Sequence, residues 1–166
     1  MRLSILVCAV VLAIVSFSTN SAQGGVEFGI QGDYNKFRDT EGSDFGLGAR
    51  LRFGSGLGLT TSFDYFFVDD QIGDAKFYEF CGNLDYTFPT YQVRPYLGAG
   101  LSVSRFTLDF TDNFLDDSQT ELGANILGGL KFGAGSVQPF GEIRYVIYSG
   151  DETFKNRFVL SAGLLF

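Results

Sequence analysis

Charged side chains interleaved with apolar ones are the residues of this 166-residue chain whose type and spacing could do chemistry. They carry both signs and recur along nearly the whole chain. Eleven of them share one alternate register: Glu27, Asp33, Arg50, Arg52, Asp64, Glu79, Asp85, Arg94, Lys131, Glu142 and Arg144. An unpaired buried charge is very costly, so these charges must be paired or hydrated if their register faces an interior.

The composition argues against catalysis by these groups. The chain has no histidine, which removes the commonest general base and the commonest metal ligand. A Ser-His arrangement is therefore excluded. A carboxylate-only active site remains possible, but no pair of carboxylates stands out. We predict no catalytic residue, no cofactor and no metal, and therefore no enzyme.

Two acidic segments are a second candidate site. The first holds Asp69, Asp70 and Asp74, and the second holds Asp109, Asp112, Asp116 and Asp117. Clustered carboxylates could bind calcium or magnesium, but their spacing matches no calcium loop, and solvated loops are often acidic. Apolar residues among the acids, such as Phe110 and Phe114, leave a protein-binding surface open as an alternative.

The elements that must position these residues follow from a period of two. Eight segments carry an uncharged, largely apolar residue at every second position, which indicates strands because successive side chains point to opposite faces. The segments are 26–34, 45–53, 57–67, 78–88, 95–103, 122–132, 139–147 and 158–166. One apolar face on eight strands, with polar and glycine-rich positions opposite, predicts an all-β, antiparallel, up-and-down transmembrane barrel.

The connections alternate in length. Short, turn-rich links occur at 54–56, 89–92 and 134–136, and longer polar links at about 35–44, 68–75, 107–120 and 148–156. Outer-membrane barrels place short turns in the periplasm and long loops outside. We therefore expect a bacterial outer-membrane protein with both termini in the periplasm.

Volume decides which face of the barrel is outside. A soluble ligand-binding barrel, with its apolar face inside, is the alternative. An eight-stranded barrel has an interior just wide enough for side chains to fill, and the apolar face is too bulky for that space. Aromatic residues also fall near both ends of the segments, for example Phe53 and Phe132 at short turns and Tyr65 and Tyr78 toward long loops. Such belts are favoured at the two surfaces of a bilayer.

The start of the chain has the layout of a secretory signal peptide. Arg2 precedes an apolar run from Leu3 to about Phe17, followed by small residues. We expect cleavage after Ala22, which leaves residues 23–166 as one barrel domain. That part carries 11 Lys and Arg against 19 Asp and Glu, a net charge of −8, which argues against nucleic acid as a partner. Its one cysteine, Cys81, is expected to be a small inward-facing side chain.

Three stretches resemble the small eight-stranded outer-membrane proteins of the OmpA and OmpX type. They are Arg94-Pro95-Tyr96-Leu97-Gly98-Ala99-Gly100-Leu101, Pro139-Phe140-Gly141-Glu142-Ile143-Arg144-Tyr145, and the closing stretch from Phe158 to Phe166. The closing stretch looks like the signal that the barrel-assembly machinery reads, and its signal residues would be Phe158, Leu160, Leu164 and Phe166.

The resemblance implies a lumen plugged by salt bridges and trapped water. The network would be built from Arg50, Asp64, Asp85, Lys131, Glu142 and Arg144, with Arg50 and Lys131 both open as partners of Glu142. The expected role is structural or surface-binding, as an anchor or adhesin, and the alternative is a minor pore for small ions or solutes. The expected partners are outer-membrane lipid, lipopolysaccharide, the assembly machinery and an extracellular protein ligand, and we expect a monomer.

Overall fold

Eight antiparallel strands close into one barrel. The computed structural model describes residues 25–37, 43–68, 74–109, 117–133, 135–148 and 156–166. The strands are β1 (Val26–Phe37), β2 (Ser43–Phe53), β3 (Leu57–Val68), β4 (Asp74–Thr87), β5 (Val93–Asp109), β6 (Asp117–Phe132), β7 (Gln138–Tyr148) and β8 (Arg157–Leu165). The predicted fold class and strand number are confirmed.

The barrel closes through a seam between the first and last strands. Each strand pairs with its neighbours in sequence, and β8 also pairs with β1. Beyond the end of β8, the backbones of Phe28 and Phe166 exchange two hydrogen bonds of 2.7 and 3.1 Å. The described strands therefore leave no free sheet edge, so their backbone polar groups can be satisfied inside a bilayer.

Strand pairing reaches further toward the long connections than the sequence predicted. β5 and β6 contain 17 and 16 residues, and their ladder extends to Leu108 opposite Asp117. Residues 107–109 and 117–120 are therefore strand, although we expected them in a loop. Likewise, Lys36 pairs with Ser43. Polar composition misled the prediction here, because a ladder bonds through its backbone and can continue beyond the apolar zone.

The short turns lie where the sequence placed them. Gly54, at the turn between β2 and β3, has a φ of 113°, and Gly133, after β6, has a φ of 79°. Side chains are rarely tolerated at such angles, so glycine suits both positions. The Gly54 amide also donates to the Gly25 carbonyl at 3.2 Å, which ties this turn to the residue before β1.

The apolar face is on the outside of the barrel. Leu47, Leu84, Ile126 and Ile143 are 61%, 60%, 56% and 50% exposed, as a lipid-facing wall requires. The alternative of a soluble barrel with an apolar cavity is wrong, because the interior is filled mainly with charged, polar and aromatic side chains. In the described part of the chain, no helix is long and apolar enough to cross a membrane.

Candidate functional site: the charged lumen

The inner face gathers the charged residues into the centre of the barrel. Buried charged side chains come from seven of the eight strands: Asp33, Arg50, Arg52, Asp64, Glu79, Asp85, Lys131, Glu142, Arg144 and Arg157. Alternation produces this set, because each residue has outward-facing neighbours on both sides. All six residues of the predicted network lie in it. Along the barrel, nine of the ten buried charged side chains fall into three groups, and Asp33 accepts a hydrogen bond from Gln31 at 3.0 Å.

The turn-side group lies nearest the short turns and comprises Glu27, Arg52, Asp85 and Lys131. Arg52 pairs with Asp85 at 2.8 Å and approaches Glu27 at 3.7 Å, and Lys131 pairs with Glu27 at 2.8 Å. Arg52 also donates to the carbonyl of Gly54 at 2.7 Å. One arginine therefore joins two carboxylates to the first short turn.

The central group surrounds the pair of Arg50 and Glu142. The guanidinium donates to both carboxylate oxygens of Glu142, at 3.0 and 3.2 Å. Such a two-point contact is among the stronger charge-assisted arrangements. The Tyr96 hydroxyl donates to the same carboxylate at 2.7 Å, and the Arg50 guanidinium lies 4.2 Å from the centre of the Phe140 ring. The central group therefore spans the lumen from β2 to β5 and β7.

Glycine makes room for this arrangement. A Cβ on Gly129 would lie 2.5 Å from both the Tyr96 Cζ and its hydroxyl oxygen, and would also meet the Gly141 carbonyl. Backbone cannot move away as a flexible side chain can. The Tyr96 ring can therefore lie across the lumen toward Glu142 only because residue 129 has no side chain.

The loop-side group is centred on Arg144. One guanidinium nitrogen of Arg144 lies 3.0 Å from Asp64 and 3.0 Å from Glu79, and the other donates to the Cys81 sulfur at 3.1 Å. Arg157 binds the second oxygen of Glu79 at 2.6 Å. Two arginines thus share one fully buried glutamate. Gln31 connects this group to the central one, since it donates to Asp64 at 2.8 Å and accepts from Arg50.

An aromatic cluster lies against the loop-side group. The Arg157 guanidinium is 4.5 Å from the Phe77 ring centre, 5.2 Å from that of Phe66 and 5.9 Å from that of Tyr148. Phe66 and Phe77 also contact each other, with centroids 5.4 Å apart. Cation–π contacts strengthen when they are desolvated. The lumen is therefore filled by rings as well as by ion pairs.

Sequence reasoning missed Arg157 and this aromatic cluster. The apolar alternation of the last segment begins at Phe158, so Arg157 lies outside that segment and has no predicted role. The signal was present, since residue 157 is in the register opposite to Phe158 and therefore inward. The same register places Phe66, Phe77 and Tyr148 inward, although a polar and glycine-rich lumen was expected.

The ion pairs in the structure differ in part from those that the sequence predicted. Of the two candidate partners of Glu142, the structure places Arg50 beside it, while Lys131 binds Glu27 and lies 5.6 Å from the Tyr96 ring centre. Two residues of the predicted network, Asp85 and Lys131, lie in the turn-side group and not beside Glu142. Arg94 is only half-buried and donates to Gln138.

Three potential metal ligands lie close together in the loop-side group. Asp64, Glu79 and Cys81 each place one ligand atom within 4.8 Å of the others. The Arg144 guanidinium lies 3.0–3.1 Å from all three side chains. The Arg144 guanidinium therefore occupies the position that a metal ion would take. These three side chains are better described as the binding partners of Arg144.

The acidic segments lie largely beyond the described residues. Asp69, Asp70, Asp112 and Asp116 are outside them, as is the predicted signal peptide of residues 1–22. Asp74, Asp109 and Asp117 are strand residues instead of loop residues. The four residues of the predicted assembly signal, Phe158, Leu160, Leu164 and Phe166, occupy the outward register at the closing seam, and each is at least 36% exposed.

The solved structures that are similar to this chain include a surface protein, an attachment protein and an enzyme. Neisserial surface protein A aligns over 86% of this chain and 97% of its own, with 24% identity and a TM-score of 0.72. The attachment invasion locus protein Ail of Yersinia pestis aligns over 86% and 97%, with 18% identity and a TM-score of 0.53. The outer-membrane enzyme PagL aligns over 83% and 98%, with 15% identity and a TM-score of 0.55. At these identities the likeness concerns the fold, which does not determine function.

A match to a protein-family model shows the family of this chain, whereas the solved structures show only its fold. No curated protein sequence gives a significant match. The model of the outer membrane protein beta-barrel domain matches residues 5–166, nearly the whole chain. The closed barrel, its apolar outer wall and this match agree, and they support a surface or structural role in the bacterial outer membrane. The chain belongs to the outer membrane protein beta-barrel domain family.

Proposed function

We propose that this protein is a closed outer-membrane barrel with a structural or surface-binding role and no catalytic activity. The observation that carries the proposal is the filling of the lumen. The turn-side, central and loop-side groups follow one another along the barrel, and the central and loop-side groups are joined through Gln31. The aromatic cluster around Arg157 adds bulk on the loop side.

Passage of a solute through the lumen would require the ion pairs of these three groups to separate. Arg50 and Glu142 come from β2 and β7, and Arg144 of β7 reaches Asp64 of β3 and Glu79 of β4. These contacts cross the lumen instead of following its wall. Removing one partner of a buried pair typically costs about 3–5 kcal/mol, because the other charge remains desolvated. Transient opening of all three groups is therefore unfavourable, which supports a closed barrel over a minor pore.

The buried carboxylates are poorly suited to catalysis. Glu79 and Glu142 each bind an arginine within 3.2 Å and are buried. A general base must reach the proton that it removes, and these groups face other protein side chains. With no histidine in the sequence, the proposed role involves no catalysis and no cofactor.

The topology and partners belong to the same proposal. Short turns at 54–56, 89–92 and 134–136 would face the periplasm with both termini, and the longer connections would face outward. Residues 1–22 would be cleaved, and the assembly machinery would read Phe158, Leu160, Leu164 and Phe166. The monomeric barrel would contact lipid and lipopolysaccharide through its wall, and an extracellular protein through its loops.

Planar-bilayer recording of the refolded residues 23–166 tests the function. We expect no steady conductance from the native sequence. The triple substitution Arg50→Ala, Arg52→Ala and Arg144→Ala removes one guanidinium from each of the three groups and is expected to produce open-channel events. A matched control, Arg105→Ala, removes an outward-facing arginine and should stay silent. Steady currents from the native barrel would support the minor pore instead.

Cysteine labelling tests the orientation separately. In a Cys81→Ser background, Asp112→Cys in a long connection should react with an impermeant maleimide on intact cells. Ser136→Cys, in a short turn, should react only after the outer membrane is permeabilised. The reverse pattern would show that the long connections face the periplasm.

A further inference from the structure

Asp33 is a buried carboxylate that belongs to none of the three groups of ion pairs. Its side chain extends from β1 into the lumen, and the residue is 3% exposed. One carboxylate oxygen, Oδ1, accepts a hydrogen bond from Gln31 at 3.0 Å. The other oxygen, Oδ2, receives a hydrogen bond from none of the described residues. Asp33 also forms no ion pair within the described part of the chain.

The cations that act on this carboxylate are already bound by others. They are Arg50 and Arg144. Arg50 donates both of its terminal nitrogens to Glu142, at 3.0 and 3.2 Å. One terminal nitrogen of Arg144 lies 3.0 Å from Asp64 and 3.0 Å from Glu79. Neither guanidinium is therefore available to neutralise a further buried anion.

A count of charges leads to the same result. The turn-side group contains two cations and two carboxylates, the central group one of each, and the loop-side group two of each. Each group is therefore balanced by itself. Among the described residues buried in the lumen, Asp33 is the one ionisable group left without an opposite charge. An ionised carboxylate in that situation is very costly.

A second unsatisfied atom lies opposite Asp33. Ser161 of β8 is its direct partner in the strand pairing, a relation that places the two Cβ atoms about 4.5–5.5 Å apart. Ser161 is also buried, and its hydroxyl oxygen has no hydrogen-bond partner among the described residues. A protonated carboxyl has one O–H to donate, and a serine hydroxyl can accept it. One proton on Asp33 would therefore satisfy both atoms and remove the unbalanced charge. Donation from the serine to an ionised carboxylate would leave that charge in place.

Asp64 is the other carboxylate bound to Gln31, and it is better suited to remain ionised. The Gln31 amide nitrogen donates to Asp64 at 2.8 Å and to Asp33 at 3.0 Å. Asp64 also accepts hydrogen bonds from Arg144 at 3.0 Å and from Ser62 at 3.1 Å. Hydrogen bonds and a nearby cation both favour the ionised form of a carboxylate. A proton shared by this region is therefore held by Asp33.

We propose that Asp33 binds one proton in the folded barrel at neutral pH and donates it to the Ser161 hydroxyl. The buried cations and anions of the described lumen are then equal in number. The charged and titratable groups that face Asp33 from the surrounding strands are Asp44 and Arg50 on β2, Asp64 on β3, Glu79 and Cys81 on β4, Glu142 and Arg144 on β7, and Arg157 on β8. Of these, Asp44 is only half-buried, so water can solvate its charge.

The absence of histidine makes this proton measurable. Histidine is the side chain that ordinarily titrates between about pH 5 and 8, and ordinary carboxyl groups are ionised above about pH 5.5. Without a retained proton, the equilibrium constant for unfolding is therefore nearly independent of pH between about pH 5.5 and 7. If unfolding releases one proton from Asp33, that constant rises about tenfold per pH unit, because the unfolded chain binds fewer protons and stability falls as pH rises.

Urea unfolding of the refolded barrel in phospholipid vesicles measures this dependence. For the native sequence we expect the unfolding constant to rise about thirtyfold between about pH 5.5 and 7. A constant that does not change across this range would overturn the proposal.

Two asparagine variants assign the proton to a residue. Asparagine is neutral and close in shape to a protonated aspartic acid, so Asp33→Asn should remove the pH dependence. Its unfolding constant at about pH 5.5 should stay within about threefold of the native value. Asp85→Asn is the matched control, because Asp85 is equally buried but pairs with Arg52. It should raise the unfolding constant about a hundredfold or more and keep the pH dependence. Persistence of the pH dependence in Asp33→Asn would show that another group holds the proton, and would overturn the assignment.

Infrared spectroscopy of the native barrel observes the proton without any substitution, and so does not depend on the folding of a variant. At neutral pH the folded protein should show the carbonyl stretch of a protonated carboxyl group, and Asp33→Asn should lack it. An ionised Asp33 that binds a cation would give no such band, and its barrel would become more stable when sodium replaces choline in the buffer. Either result would overturn the proposal. These measurements require neither a known orientation nor a current, so their failure is distinguishable from failure of the proposed function.

Discussion

Glu142 shows how the lumen depends on individual residues. Its carboxylate is held by the Arg50 guanidinium at two points and by the Tyr96 hydroxyl at 2.7 Å. Sequence register placed Glu142 on the inner face but left Arg50 and Lys131 equally suitable as partners. Which cation reaches it depends on the stagger of strands that are far apart in the sequence, and residue spacing within one strand does not contain that information.

The first prediction concerns this pair. Glu142→Ala should lower the free energy of unfolding by up to about 3–5 kcal/mol, since Arg50 would remain buried without its carboxylate. Removing Arg50 as well should recover part of the loss. The measurement is urea unfolding of the refolded barrel in phospholipid vesicles.

Two controls make this prediction specific. Asp116→Ala, at a position that the sequence places in a loop, should change stability by no more than about 0.5 kcal/mol, as surface substitutions usually do. Lys131→Ala combined with Glu142→Ala should give nearly additive losses, because Lys131 binds Glu27 instead. Equal and negligible effects of Glu142→Ala and Asp116→Ala would show that the central pair does not hold the barrel together.

At the scale of the strand, alternation predicted most of what the structure contains. It identified eight strands, their outward and inward faces and the short turns. It did not give the strand ends, since polar residues such as Lys36 and Thr107 still pair through their backbones. It also did not find Arg157, because the apolar side of β8 begins one residue later. Strand ends and lumen contacts both depend on the neighbouring strands.

The second prediction tests the two faces of a single strand. Leu47→Arg should destabilise the barrel in bilayers by about 2–4 kcal/mol, because it places a charge in the lipid. Leu47→Phe, which keeps the position apolar, is the control and should change little. Gly48→Leu should also be harmful, since a Cβ there would already meet the Phe63 carbonyl at 3.1 Å and the Asp64 side chain. If Leu47→Arg and Gly48→Leu both fold normally, the inward and outward faces are reversed.

The third prediction concerns the closing strand. Phe166→Asp, or deletion of Phe166, should reduce the amount of barrel in the outer membrane while export through the inner membrane continues. The reason is twofold: the residue belongs to the predicted assembly signal, and its backbone completes the seam with Phe28. Cell fractionation measures both steps, and Phe166→Tyr is the control that keeps an aromatic ring. Normal outer-membrane levels of Phe166→Asp would count against an assembly signal at this position.

At the scale of the whole molecule, the buried charges of the described strands lie inside the barrel. The charges that pair inside the lumen neutralise each other within the turn-side, central and loop-side groups. The fold is shared with a surface protein, an attachment protein and an enzyme. The fold therefore does not determine function, and the filling of the lumen is the feature that distinguishes a closed barrel from a pore.

Cys81 allows the closed lumen to be tested with the native sequence. It is the only cysteine in residues 23–166, and its sulfur is fully buried beside Arg144. The measurement is the rate at which a small, positively charged, membrane-impermeant thiol reagent modifies the folded barrel in vesicles. The reference is a Cys81→Ser, Ser136→Cys variant, whose thiol lies in an exposed turn. We predict that folded Cys81 reacts about a hundredfold more slowly than the turn cysteine of the reference variant. It should become reactive when the chain is unfolded in urea. Modification of folded Cys81 at a rate close to that of the turn cysteine would contradict a lumen closed by its ion pairs.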